Sequence, residues 1–196
     1  VNFGCGLSTV DGWLNFDASP TAKMQKTPII GHLAAAIFKP KFPACVMIGD
    51  ITKGLRLRDN SVDLVYCSHV LEHLSLLDLR RSLIEVKRIL KPNGVFRAVL
   101  PDLKHELLLY DLDDSPEACS KFMVRTSLGV ECRPKGIIGW LRSFFGNSNH
   151  LWMWDYKGIE FELANAGFSA IRPACYGDSE YVGFNLAEDQ QRWENS

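Results

Sequence analysis

Residues 1–17 read VNFGCGLSTVDGWLNFD, and the fold is decided there. Val1, Asn2 and Phe3 suit the end of a buried strand, and Gly4-Cys5-Gly6 follows at once. Glycine admits φ > 0 and lets a ligand approach the main chain closely. Leu14, Asn15 and Phe16 make a second short strand that ends in Asp17. An acidic residue at that tip is where α/β nucleotide-binding folds hold ribose hydroxyls. Taken alone, the stretch fits a tight turn and a surface aspartate equally well. The remaining chain decides between the two.

Strand and helix signals alternate beyond Asp17. Residues 44–48 are all apolar and precede Gly49-Asp50, as expected of a strand buried on both faces. Residues 62–67 make a fourth strand, leading into Ser68-His69-Val70-Leu71-Glu72-His73. Ser75 opens a helix with Asp78 three residues on, a capping-box arrangement, and Leu79, Leu83, Val86 and Leu90 form one stripe. Pro92-Asn93-Gly94 is expected to stop that helix before a fifth strand over 95–100, which ends at Pro101-Asp102. Asp155 opens a later helix, Gly167 closes it, and 168–174 reads as a sixth strand. Between prolines 28 and 40, residues 32–38 suit a short helix. The alternation predicts a doubly wound, mostly parallel α/β sheet. Residues 104–150 are too long for a plain connection and read as a helical lid between strands five and six. Ligands in such sheets bind at the carboxyl ends of strands, where Gly4, Gly6, Asp17, Asp50, Ser68 and Asp102 all fall.

Composition narrows the class. The chain has 196 residues, 46% of them hydrophobic, enough for a single domain over 1–196. Lys+Arg total 22 against 23 Asp+Glu, so there is no global charge for nucleic acid or an anionic membrane. No apolar run is long enough to span a bilayer. The six cysteines include no C-x-x-C pair and fit free thiols in a reducing cytoplasm. The chain opens on Val1 inside a strand and has no strand after Tyr176, so both termini read as trimmed.

Four blocks, VNFGCG, GDITKGLRLRDNSVDLVYCSHVLEHL, EVKRILKPNGVFRAVLPDL and HLWMWDYKGIEFELANAGFSAIRP, cover well over half the chain. Their order resembles the class I S-adenosylmethionine-dependent methyltransferases, and most of all the small bacterial group labelled methyltransferase type 11. The resemblance implies a Rossmann-like methyltransferase fold of seven strands with the last reversed. It implies S-adenosyl-L-methionine as cofactor, with Gly4, Cys5 and Gly6 at the methionine end and Asp17 on the ribose. Asp50, with Ile51 beside it, would meet the adenine. Ser68, through its carbonyl, and His69 would border the amino and methyl groups. This chain departs from the pattern at two places. Asp17 stands eleven positions after Gly6, where dinucleotide folds leave about 20, so the first helix shrinks to a turn. Ser8 stands where many members have a third glycine, which opens the loop.

A sulfonium methyl is already electrophilic, so the protein must align the nucleophile and, where needed, take its proton. His69, Asp102 and His150 are the candidate catalytic residues, each also compatible with a structural hydrogen bond. His69-Val70-Leu71-Glu72-His73 matches the H-x-x-E-H zinc motif. No metal is expected there, because His69 and His73 lack a third ligand in sequence context. The expected function is methyl transfer to a small-molecule, lipid or saccharide acceptor. A non-catalytic nucleotide-binding α/β domain is the alternative, and a zinc hydrolase built on H-x-x-E-H a remote one. Trp140, Phe144, Phe145, Trp152 and Trp154 would wall an acceptor pocket, with Arg125, Arg133, Lys135 and Arg142 for an anionic group.

Overall fold

The computed structural model describes residues 1–28, 41–130, 132, 135–136 and 149–193. The helix expected at 32–38, and Arg133, Trp140, Arg142, Phe144 and Phe145 of the lid, lie outside the described residues.

Strands β1 (Asn2–Phe3), β2 (Asn15–Asp17), β3 (Val46–Ile48), β4 (Val62–Ser68) and β5 (Leu90–Val99) form one sheet. Every neighbouring pair is parallel, in the order β3-β2-β1-β4-β5. Asn2 pairs with Asn15 on one side and Tyr66 on the other. The order reverses between β1 and β4, which makes their carboxyl ends the switch point of the sheet.

No helix separates β1 from β2. The side chain of Asn15 does the work of one. Its Oδ1 accepts from the Val10 amide at 2.9 Å and its Nδ2 donates to the Val10 carbonyl at 2.9 Å. Asn2 Nδ2 adds a third bond to Asn15 Oδ1 at 3.2 Å. Both amides are buried, so satisfying them is what makes the short loop tolerable.

Helix α1 (Pro20–Gln25) starts with proline in its first turn, capped by Ser19. Helix α2 (Leu76–Ile89) is capped by Ser75, whose Oγ accepts from the Asp78 amide at 3.2 Å. The Asp78 carboxylate takes the Ser75 hydroxyl at 2.8 Å, closing the box through the side chain. Leu79, Leu83 and Val86 are fully buried beneath α2, in one core with Phe3, Val65 and Leu71. Helix α3 (Leu103–Asp111) packs on α4 (Ala118–Arg125), joined by Arg125 Nε on buried Glu106 at 2.8 Å. Helix α5 (Tyr156–Asn165) is tied to α2 by a two-pronged Arg80–Glu162 pair at 2.9 and 2.8 Å.

Four expectations are corrected. Residues 44–48 do not make a strand buried on both faces: in β3, Val46 is buried but Met47 and Ile48 are exposed. β3 is the outermost strand of the described sheet, so its apolar run marks an edge rather than a centre. Residues 168–174 are not a strand. Ala170 adopts φ 54° there, which breaks an extended run, although Phe168 still packs on Phe96. The seven-stranded sheet is therefore five-stranded among the described residues. Pro92-Asn93-Gly94 does not stop the helix. α2 ends at Ile89, and β5 begins at Leu90 with Asn93 at φ 64°, opposite the irregular register at Val62 and Leu64.

The polar tail folds back onto the sheet. Helix α6 (Val182–Ala187) buries Phe184 against Tyr66 and Trp13. A 3-10 turn follows over Gln190–Trp193. Arg97 of β5 anchors the tail. It is 7% exposed, pairs with Asp178 at 2.8 Å and with Glu188, and donates to the Cys175 carbonyl at 2.8 Å. Among the described residues, no helix is long and apolar enough to cross a membrane.

Phe184 is fully buried, so Phe184→Ala is expected to cost about 3–5 kcal/mol. Urea unfolding followed by tryptophan fluorescence measures this. A loss under about 1 kcal/mol would mean that the tail does not rest on the sheet.

Candidate active site

The site grows from the ends of β1 and β4. Past Phe3 the chain turns through Gly4 at φ 62° and Gly6 at φ 54°. A Cβ at Gly4 would lie 2.4 Å from Val70 Cγ2, so glycine is needed there for close packing as well as for its φ. A Cβ at Gly6 would meet nothing within 4 Å, so that turn is open. Asp17 reaches back to it: Oδ2 accepts from the Gly6 amide at 2.9 Å and Oδ1 from the Ser19 amide at 2.8 Å. The shortened loop thus ties the tip of β2 to the glycine turn. Each Asp17 oxygen keeps a lone pair beyond the amide it accepts.

A cleft opens at the switch point. Asn2, Gly4, Cys5, Ser8, Tyr66 and Ser68 line it from the sheet side, and Ala187, Asp189 and Arg192 from the tail. Tyr66 Oη and Ser68 Oγ are buried there without a hydrogen-bond partner. Burial pushes the Tyr66 hydroxyl up to about 12, so it remains a neutral donor. Gly4, Cys5 and Ser68 come together as expected from the sequence. Gly6, Asp17, Asp50, Ile51 and His69 do not line this cleft. Ile51 belongs to the core. Asp50 caps the 3-10 turn Ile51–Lys53, accepting from the Thr52 hydroxyl at 2.7 Å and the Thr52 amide at 3.1 Å. Burial pushes its carboxyl up, but Thr52 and Lys53 outweigh that and hold it below its usual range.

The tail occupies part of the mouth. Arg192 Nη1 donates to the Ser68 carbonyl at 3.0 Å. His69 Nε2 donates to the Arg192 carbonyl at 2.9 Å. His69 is itself left-handed, at φ 54°, which non-glycine residues adopt at a cost. Its Nδ1 stands 3.2 Å from Glu72 Oε1. The Glu72 contact, ahead of the opposing effect of burial, raises the His69 pKa.

Glu72 was read only as part of H-x-x-E-H and not as a site residue. Its backbone carbonyl accepts from Leu151 N at 2.8 Å and Trp152 N at 3.1 Å. Those bonds draw the segment after the lid across the turn Leu71–His73, and they place His150 beside Glu72 and His73. Burial is the main reason the His150 pKa is lowered. The signal was present in H-x-x-E-H, but the third histidine came from 77 positions further on. Asp102 takes a different part: it caps α3, accepting from the Lys104 amide at 2.9 Å, and bridges to Trp154.

A five-stranded parallel sheet with its glycine turn at the switch point defines a doubly wound α/β protein, the architecture that binds ligands at that point. Residues 2–98, just under half of the chain, match the family described as a methyltransferase domain. A probable methyltransferase, ltbC, of Aspergillus luteorubrus is 40% identical over 48 residues. Those residues are 24% of this chain and 17% of that protein, so the chain spans about a sixth of the relative it matches. A SAM-dependent methyltransferase from Archaeoglobus fulgidus is 16% identical, with TM-score 0.47, over 98% of this chain and 77% of that one. One from Mesorhizobium loti is 17% identical, with TM-score 0.41, over 86% and 72%.

Burial first, then Asp17, pushes the Cys5 thiol up to about 12, and burial raises Cys67 well above its usual value. Cys45, Cys119, Cys132 and Cys175 are exposed. A protonated thiol is a poor nucleophile. A disulfide-exchange reagent at pH 8 is therefore expected to titrate four thiols quickly and the other two only on unfolding. Fast reaction at Cys5 would show that the floor of the cleft is open to solvent.

Proposed function

We propose that the chain transfers the methyl group of S-adenosylmethionine to a small-molecule, lipid or saccharide acceptor. The observation that carries this reading is the switch-point cleft, where Gly4 and Cys5 meet two buried hydroxyls without partners. A polar ligand in the cleft supplies those partners. The residues fit the family's cofactor: an open glycine turn, a carboxylate at the tip of β2 and another beyond β3. When bound, S-adenosylmethionine supplies an electrophilic sulfonium methyl.

The chain's own residues do the rest. The turn at Gly4–Gly6 offers main-chain groups to the methionine end. Asp17 offers its remaining lone pairs to ribose hydroxyls, and Asp50 accepts from the adenine amino group beside Ile51. The Ser68 carbonyl takes the cofactor's amino group once Arg192 has left it. His69 borders the methyl and orients or deprotonates the nucleophile, with His150 and Asp102 at the next elements along. Residues 104–150 act as the lid that selects the acceptor, within one domain over 1–196. Six free thiols support a cytoplasmic setting.

Calorimetric titration with S-adenosylmethionine tests the reading. An adenine hydrogen bond of about 0.5–1.5 kcal/mol predicts that Asp50→Ala binds about 2- to 10-fold more weakly. Unchanged affinity in the folded variant removes Asp50 from the site. S-adenosylhomocysteine release across an acceptor panel then separates a transferase from a domain that only binds.

A further inference from the structure

Methyl transfer gives no task to Glu72 and His73, and His150 stands beside them. Glu72 is 1% exposed; Oε1 faces the His69 ring, and Oε2 has no hydrogen-bond partner among the described residues. A buried carboxylate is tolerated when it is paired or coordinates a metal. His69 faces one oxygen at 3.2 Å, and the other has no such partner. Donor atoms of Glu72, His73 and His150 all lie within 4.8 Å of one another.

We infer that Glu72, His73 and His150 form a site for one divalent first-row transition-metal cation. Two imidazoles and a carboxylate are a donor set suited to zinc, cobalt or iron(II), and three protein donors leave coordination positions open. The rings are prepared for it. His73 Nδ1 stands 3.1 Å from the Asn149 carbonyl, which only accepts, so Nδ1 carries the proton and Nε2 keeps its lone pair. A backbone carbonyl on the far nitrogen is the usual outer support of a metal-binding histidine. His150 is largely buried with its Nδ1 unpartnered, and its Nε2 stands 3.9 Å from Glu72 Oε1. The His73 and His150 rings meet edge to face at 5.0 Å. Donors held at 2.0–2.2 Å by zinc stand about 3.4 Å apart in a tetrahedron, so side-chain rotation closes the remaining gap. The fold therefore supplies the third ligand whose absence from the sequence argued against a metal. His69 stands outside the set, linking Glu72 to the cofactor cleft through Arg192.

Untagged protein, stripped with EDTA and exchanged into metal-free buffer, is titrated with Co²⁺ and then Zn²⁺. A visible cobalt absorption band should saturate at one equivalent, bleach on adding zinc, and be matched by a rise in Tm. Glu72→Gln and His73→Asn should each weaken binding at least about tenfold, the loss that follows even from removing an outer partner. His105→Ala, at an exposed position on α3, should retain the band. His73 is only half-buried, so His73→Asn keeps the test decisive if Glu72→Gln fails to fold. No band and no change in Tm for wild-type protein would overturn the inference. So would folded Glu72→Gln or His73→Asn binding as wild type does. Neither arm contains S-adenosylmethionine, so the outcome is independent of the methyl-transfer reading.

Discussion

Asn2 and Tyr66 are partners across the β1–β4 pair, and that register sets which loops meet. β1 is only two residues long, so Gly4 begins one step past its end. β4 continues to Ser68, and the two ends therefore open on one cleft. Parallel pairing sends every connection back to the far edge, which leaves the carboxyl edge to loops alone. The buried side chain of Asn2 belongs to the same device. It donates to the Ser8 carbonyl at 3.0 Å and to Asn15 Oδ1 at 3.2 Å, binding the loop to the strand from which it departs. Moving the register by one residue would turn Asn2 away from Asn15 and separate Gly4 from Ser68.

What was legible in the sequence is what neighbours in the chain decide. The turn at Gly4–Gly6, the stripe of α2 and the caps at Ser75 and Asp155 all follow from residues a few positions apart. Asp17 was legible as a strand-tip acid, but its bond to the Gly6 amide was not, because that bond depends on how the loop closes. β3 misled because an apolar run does not say what lies beside it. Phe168 was read as a strand residue for its side chain, yet the same side chain packs on Phe96 with the backbone irregular.

The cluster at Glu72 shows the limit most clearly. Within H-x-x-E-H the sequence places two histidines and a carboxylate, and spacing says nothing of a third histidine. His150 arrives because Leu151 and Trp152 both donate to the Glu72 carbonyl. That pairing is a backbone event and carries no side-chain signature. The same holds for Arg97, an unremarked residue of β5 that gathers Asp178, Glu188 and the Cys175 carbonyl.

The tail divides into an anchor and a cover, and the energies of the two differ. Phe184 and Arg97 hold α6 through a buried ring and paired charges, the kind of contact whose loss costs several kcal/mol. The following turn touches the cleft through two hydrogen bonds, Arg192 to the Ser68 carbonyl and His69 to the Arg192 carbonyl. Such bonds are worth about 0.5–1.5 kcal/mol each. Trp193, 5.1 Å from the Arg97 guanidinium, adds a cation–π contact of similar size. The weaker contacts are the ones that stand in a ligand's way.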